Sequence, residues 1–191
     1  MLNRKNLIQG LTLIELLISL TMALFILSAV FEIFFTVQKN HLAINALTEL
    51  QENTYIAFEL LAHDIRMAGY SDYPNNLLFK RIDAQSDSIM VRYVDNNEVK
   101  SKKFYINDTG RLDQQRHHIN ALYANKTELV EGIDRIQFRY SVISNGEMIE
   151  KSADELTNEK IVGVAIEVLL NSLNNFPLQK KAYTYVALRE E

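Results

Sequence analysis

Apolar residues fill almost every position from Leu11 to Val37, and Glu15 and Glu32 are the only charged residues in that stretch. It contains no Gly or Pro, so nothing local breaks a helix. An unbroken helix of this length runs about 40 Å at 1.5 Å per residue. That crosses a hydrocarbon core of about 30 Å with some tilt. Polar residues enter at Gln38-Lys39-Asn40, yet the helical spacing continues through Ile44, Leu47, Gln51, Tyr55, Phe58, Leu61, Ile65 and Ala68. Apolar positions at steps of three and four predict an amphipathic continuation with one buried face. Glu49, Glu52, Glu59 and Asp64 mostly fall on other faces of it. Arg66 suits the negative end of the helix dipole, and Gly69 is a good C-terminal stop. The pattern predicts one helix from about Leu11 to Ala68, with residues 11–37 in lipid and 38–69 on a soluble domain.

After Gly69 the period changes to two. Ser88–Val94 and Lys103–Ile106 flank the polar cluster Asp95-Asn96-Asn97-Glu98, which reads as a hairpin. Ile133–Ile143 alternates through Ile136, Phe138, Tyr140 and Val142 and ends at Asn145-Gly146, a strong hairpin-turn pair. Ile161–Leu170 and Ala182–Leu188 are further β-rich runs, and 152–158 reads as a helical turn or loop. Alternation favours antiparallel pairing with one face buried. The expected class is therefore α+β: one long N-terminal helix packed on a C-terminal antiparallel sheet, with residues 70–191 as the head. About 120 residues suffice for one small core once the helix packs on it.

Composition narrows the functions. The net charge of −4 gives no reason to expect nucleic-acid binding. With no cysteine the chain forms no disulfide. The adjacent His117 and His118 lack the one-face spacing of a helical metal pair and read as solvated loop. His63 and Asp64 are sequence neighbours on a helix, a spacing at which side chains do not face each other. Asp108, Asp113 and the Asn107-Asp108-Thr109-Gly110 segment read as a plain turn rather than a calcium loop. No nucleophile elbow, phosphate-cradling loop or zinc-spaced cluster occurs in the sequence. The expectation is a non-enzyme without cofactor or metal.

Glu15 is the residue to explain. A carboxylate in an apolar helix costs roughly 2.5–3.5 kcal/mol near the bilayer centre, so it marks function by default. Arg4 and Lys5 precede the span and few basic residues follow it closely, which puts the N-terminus in the cytoplasm. A secretory signal peptide has an apolar region of only about 7–15 residues, followed by its cleavage site. Here Gly10 precedes the apolar run. A cut after Gly10 removes a short basic leader (1–10), keeps the helix and exposes an α-ammonium at Leu11. Positions i and i+4 share a helix face, so that cation suits Glu15 in the same chain or a stacked neighbour.

Gly10-Leu11-Thr12-Leu13-Ile14-Glu15 resembles the processing motif of type IV pilins and pseudopilins, with Leu11 in place of the usual Phe. The resemblance implies that a prepilin peptidase cuts between Gly10 and Leu11 and methylates the new amine of Leu11. It also implies that Glu15 guides packing into a helical filament. Glu32 stands where major pilins often carry Pro, and the C-terminal disulfide of many pilins has no counterpart here. A second stretch, Ile56-Ala57-Phe58-Glu59-Leu60-Leu61-Ala62-His63-Asp64-Ile65-Arg66-Met67-Ala68-Gly69-Tyr70, is similar to the PilW-like minor pilins, with His63 replacing an Arg, as is Leu50-Gln51-Glu52-Asn53 before it. Segments 132–140, 161–172 and 185–189 loosely resemble the C-terminal strands of the same group. The implied function is that of a minor pilin helping to initiate a type IV pilus, held in the bacterial inner membrane and then in the pilus, periplasm or cell surface. Its partners would be other minor and major pilins. A pseudopilin of a type II secretion system shares these features, and a membrane-anchored enzyme or sensor is the rival from another class.

Overall fold

The computed structural model describes residues 12–71, 80–96, 98–112, 118–144, 146–157, 159–173 and 176–188. The leader residues Arg4, Lys5 and Gly10, and Leu11, Pro74, Asn97, Asp113, His117 and Asn145, lie outside them. Helix α1 runs Leu13–Arg66. The chain divides into two units, Met1–Ala43 and Ile44–Glu191, with the boundary inside α1.

In the first unit every described residue before Ala43 is exposed, and apart from Glu15 and Glu32 the large side chains from Leu13 to Val37 are apolar. The helix is long and apolar enough to cross a membrane. Phe34 and Phe35 meet edge to face with ring centroids 5.9 Å apart, and Phe31 stacks on Phe35 at 6.5 Å.

The second unit joins the rest of α1 to two antiparallel sheets rather than the single sheet expected. One has five strands in sequential order: β1 (Ile82–Ala84), β2 (Ile89–Asp95), β3 (Glu98–Leu112), β4 (His118–Ala124) and β5 (Thr127–Glu131). The other is ordered β7-β6-β8-β9, from β6 (Ile133–Ser144), β7 (Glu147–Lys151), β8 (Ile161–Asn171) and β9 (Gln179–Ala187). The β2–β3 hairpin closes with Asp95 opposite Glu98, and β6–β7 with Ser144 opposite Glu147, both where the turn residues put them. A 3-10 turn, Ala153–Glu155, follows β7 and is closed by a Ser152–Glu155 capping box. The β4–β5 turn is made by Asn125 and Lys126, with φ of 47° and 80°, the left-handed conformation that two-residue hairpin loops demand.

Gly132 explains why there are two sheets. At φ 76° it turns the chain between β5 and β6, donates its N–H to the Asn120 carbonyl at 2.9 Å and accepts from the Asn171 N–H at 2.8 Å. It is thus bonded into both sheets at once. A Cβ there would lie 2.8 Å from the Asn171 carbonyl oxygen, so both the angle and the space select glycine. Further along β6, the Phe138 N–H donates to the Ser86 carbonyl at 2.9 Å. The buried Tyr140 hydroxyl donates to the Gln85 carbonyl at 2.8 Å and accepts from the Gln85 N–H at 3.1 Å. Strand β6 is therefore the seam of the head.

The core lies between α1 and the sheets. Leu50, Ala57, Leu61 and Ile65 meet Ile89, Val91, Phe104 and Leu122 of the first sheet and Ile136, Phe138, Val164, Ile166 and Val168 of the second. The buried face of α1 agrees with the expected one at Leu61, Ile65 and Ala68 and departs from it before them. It runs Ala46, Leu50, Thr54, Ala57, Leu61, Ile65, whereas Ile44 and Tyr55 are 61% and 67% exposed and Leu47 and Gln51 are also exposed. The physical reason is side-chain size: Ala46, Ala57 and Thr54 let the helix axis come close, and Thr54 satisfies its hydroxyl on the Leu50 carbonyl at 2.5 Å. Weighting by bulk therefore misplaces the stripe between Ile44 and Tyr55. The segment expected as a plain turn, Asn107–Gly110, lies inside β3 at a register shift between Asp108 and Leu112, with Gly110 at φ 74°.

Burial raises the Tyr140 phenol far above its ordinary value of 10. The unfolded chain releases this proton from about pH 10 while the fold retains it, so its contribution is complete below pH 10 and declines above. Tyr140→Phe is expected to lower the stability of the head by about 1 kcal/mol at pH 7. Urea titrations should show that deficit shrinking at pH 11; a deficit that grows would refute the assignment.

Candidate functional site

Thr12 precedes the first helical residue, and Glu15 occupies the third position of α1. The Thr12 N–H donates to Glu15 Oε2 at 2.9 Å, and the Thr12 hydroxyl donates to the same oxygen at 2.9 Å. In return the Glu15 N–H approaches Thr12 Oγ1 at 3.4 Å, and the Leu16 N–H reaches the Thr12 carbonyl at 3.2 Å. This is a capping box: the first turn of a helix has unpaired N–H groups, and one side chain at each end of the turn answers them. The carboxylate also suits the positive end of the helix dipole. Leu13, Ile14, Leu16, Leu17 and Ile18 surround it with exposed apolar side chains.

In the sequence Glu15 stands out, and the expected partner is an ammonium at Leu11. The partner present among the described residues is Thr12. The signal was available in the Thr-x-x-Glu spacing of residues 12–15. Gly10 and Leu11, assigned to cleavage and methylation, lie outside the described residues.

The hydroxyls farther along the apolar stretch bond to their own helix: Thr21 to the Ile18 carbonyl, Ser28 to Phe25 and Thr36 to Glu32. Nothing among the described residues pairs with the Glu32 carboxylate, and the same holds for the Lys39 ammonium.

Within the second unit, Asp64 corrects two expectations. It is buried rather than on an outer face, and its carboxylate takes Lys102 Nζ of β3 at 2.6 Å. The adjacent His63 turns sideways to bring Nδ1 within 3.2 Å of Asp64 Oδ1, a contact that helical spacing alone argues against. Lys102 also stands 5.7 Å from the centroid of the buried Phe104 ring. About three to four turns earlier on α1, Asn53 Nδ2 donates to the Glu131 carbonyl at 3.2 Å and the Leu173 N–H to Glu49 Oε1 at 3.3 Å. Polar contacts at Asp64, Asn53 and Glu49 thus tie α1 to β3, β5 and the chain after β8. His118 opens β4 rather than lying in a loop; it is exposed, with Nδ1 2.8 Å from Asp108 Oδ2. Among the described residues no three His, Asp or Glu side chains gather to hold a metal ion.

No family model, no curated protein and no solved structure matches this chain.

Removing either member of the Asp64–Lys102 pair is expected to have unequal effects. Lys102→Met leaves a buried carboxylate without its cation and should cost roughly 2–3 kcal/mol. Asp64→Asn leaves a partly exposed ammonium and should cost about 1 kcal/mol. Chemical denaturation of the two single variants and the double variant checks this, the double costing less than the sum.

Proposed function

We propose that the protein is a minor pilin, a subunit that helps initiate a type IV pilus from the bacterial inner membrane. The observation that carries this reading is a membrane-length apolar helix whose first turn is closed by Thr12 and Glu15, directly after Gly10-Leu11. The N-terminus faces the cytoplasm and the head lies across the membrane. A prepilin peptidase cuts between Gly10 and Leu11, so the leader is lost and the helix stays. The cut creates an α-ammonium at Leu11, four positions from Glu15, and the amine is methylated.

The capping box supports this sequence of events on physical grounds. Before cleavage the carboxylate is neutralised in part by two hydrogen bonds from Thr12, which lowers the cost of holding it in lipid. After cleavage a full positive charge becomes available on the same helix face, and a charge-assisted bond is about twice as strong as a neutral one. Glu15 then exchanges a hydroxyl for an ammonium, its own or that of a neighbouring pilin, as the helix enters the filament. The stretch similar to minor pilins, 56–70, contributes Ala57, Leu61, Asp64, Ile65 and Ala68 to the contact of helix and head. That gives the pattern a structural purpose.

Mass spectrometry of the membrane-extracted protein should find an N-terminus at Leu11 carrying a methyl group. A chain still beginning at Met1 in cells with an active prepilin peptidase would refute processing. Glu15→Ala should leave cleavage largely intact and impair piliation, read by electron microscopy of the cell surface; normal piliation in that variant removes Glu15 from the mechanism.

A further inference from the structure

Glu32 is the second carboxylate of the apolar stretch, and the role given to Glu15 does not use it. On α1 it lies seventeen residues beyond Glu15, about 26 Å along the axis. A hydrocarbon core of about 30 Å therefore places it near the outer boundary. Ile33, Phe34, Phe35 and Val37 follow it and are exposed, large and apolar. A carboxylate flanked by such residues on the outer side draws them into water if it moves outward. Thr21, Ser28 and Thr36 share its stripe at steps of seven and four. Their hydroxyls are satisfied within the helix. The stripe therefore offers small hydroxyl groups that permit close approach and one charge that lacks a counterpart among the described residues.

We propose that Glu32 is the contact point for a neighbouring membrane helix that carries a Lys or Arg side chain near the outer end of its span. The inference rests on the reading of α1 as a membrane anchor. Charge complementarity selects the occupant, because an intramembrane carboxylate is stabilised by a cation at the same depth. A second copy of this chain does not fit. Side by side at equal depth it sets Glu32 against Glu32. The cation it carries on this stripe, Lys39, sits about 10 Å farther out. Glu32 thus favours a different, basic helix and disfavours self-pairing.

The test uses the full chain in phospholipid vesicles. The chain lacks cysteine, so Asn40→Cys takes a single fluorescent donor. The probes are Leu–Ala transmembrane peptides with an acceptor dye: one with a Lys near its outer end, one with Leu there, one with Glu. The Lys peptide should reach half-maximal energy transfer at roughly fivefold lower concentration than the Leu peptide. Glu32→Gln should abolish that difference, Glu15→Gln should leave it, and the Glu peptide should be no better than Leu. Equal binding of the Lys and Leu peptides overturns the proposal, as does a Lys preference that survives Glu32→Gln. Transfer between donor- and acceptor-labelled copies of the chain that exceeds transfer to the Lys peptide also overturns it. Carbonate extraction separates the two readings. A chain retained in the vesicles without a Lys preference refutes only the role of Glu32, and a chain released by carbonate refutes the membrane anchor and this inference with it.

Discussion

A charge placed among apolar side chains has to be answered nearby, and three carboxylates of α1 meet that demand in three ways. Glu15 takes both donors of Thr12 within a single turn. Asp64 takes an ammonium from a strand 38 residues away in sequence. Glu32 has no such neighbour among the described residues. The first arrangement is local and forms with the helix itself. The second requires the head to be folded. The third is open to a molecule other than this one. Read in that order, the helix begins with self-sufficiency, meets its own head through an ion pair, and keeps one charge available between the two.

The head is organised around β6. Its residues pair with β8 along most of its length and with β7 only near its end. This leaves the first half of its other edge free to meet the loop before β2. The Phe138 N–H and the Tyr140 hydroxyl both reach that loop. Two sheets result, and both contribute large buried side chains to one core with the helix. With no cysteine in the chain, burial and hydrogen bonds are what hold this arrangement.

Much of this was legible in the residues. The long helix, its apolar first half and the strands of β2, β6, β8 and β9 follow from periodicity sustained over many positions. The turns at Asp95–Glu98 and Asn145-Gly146 follow from turn chemistry. Glu15 stood out because a charge is rare in such surroundings. What escaped was of two kinds. Partner choice between strands is non-local, so alternation at Ile133–Ile143 reveals a strand but not that it opens a second sheet. Small residues also carry little hydrophobic signal, so Ala46, Thr54 and Ala57 lost the buried stripe to Ile44, Leu47 and Tyr55, which stand outside it. The hairpin at Asn125-Lys126 was missed for a related reason: Lys is an unusual residue to find at φ 80°.

Gly132 has a bearing on how the head comes apart. One peptide unit on each side of that residue belongs to a different sheet, and the same α carbon serves as the hinge of both. Fraying that starts at β5 therefore removes an acceptor from the end of β8, and fraying that starts at β8 releases the chain where β5 ends. Local opening of either sheet at this point is therefore coupled to opening of the other.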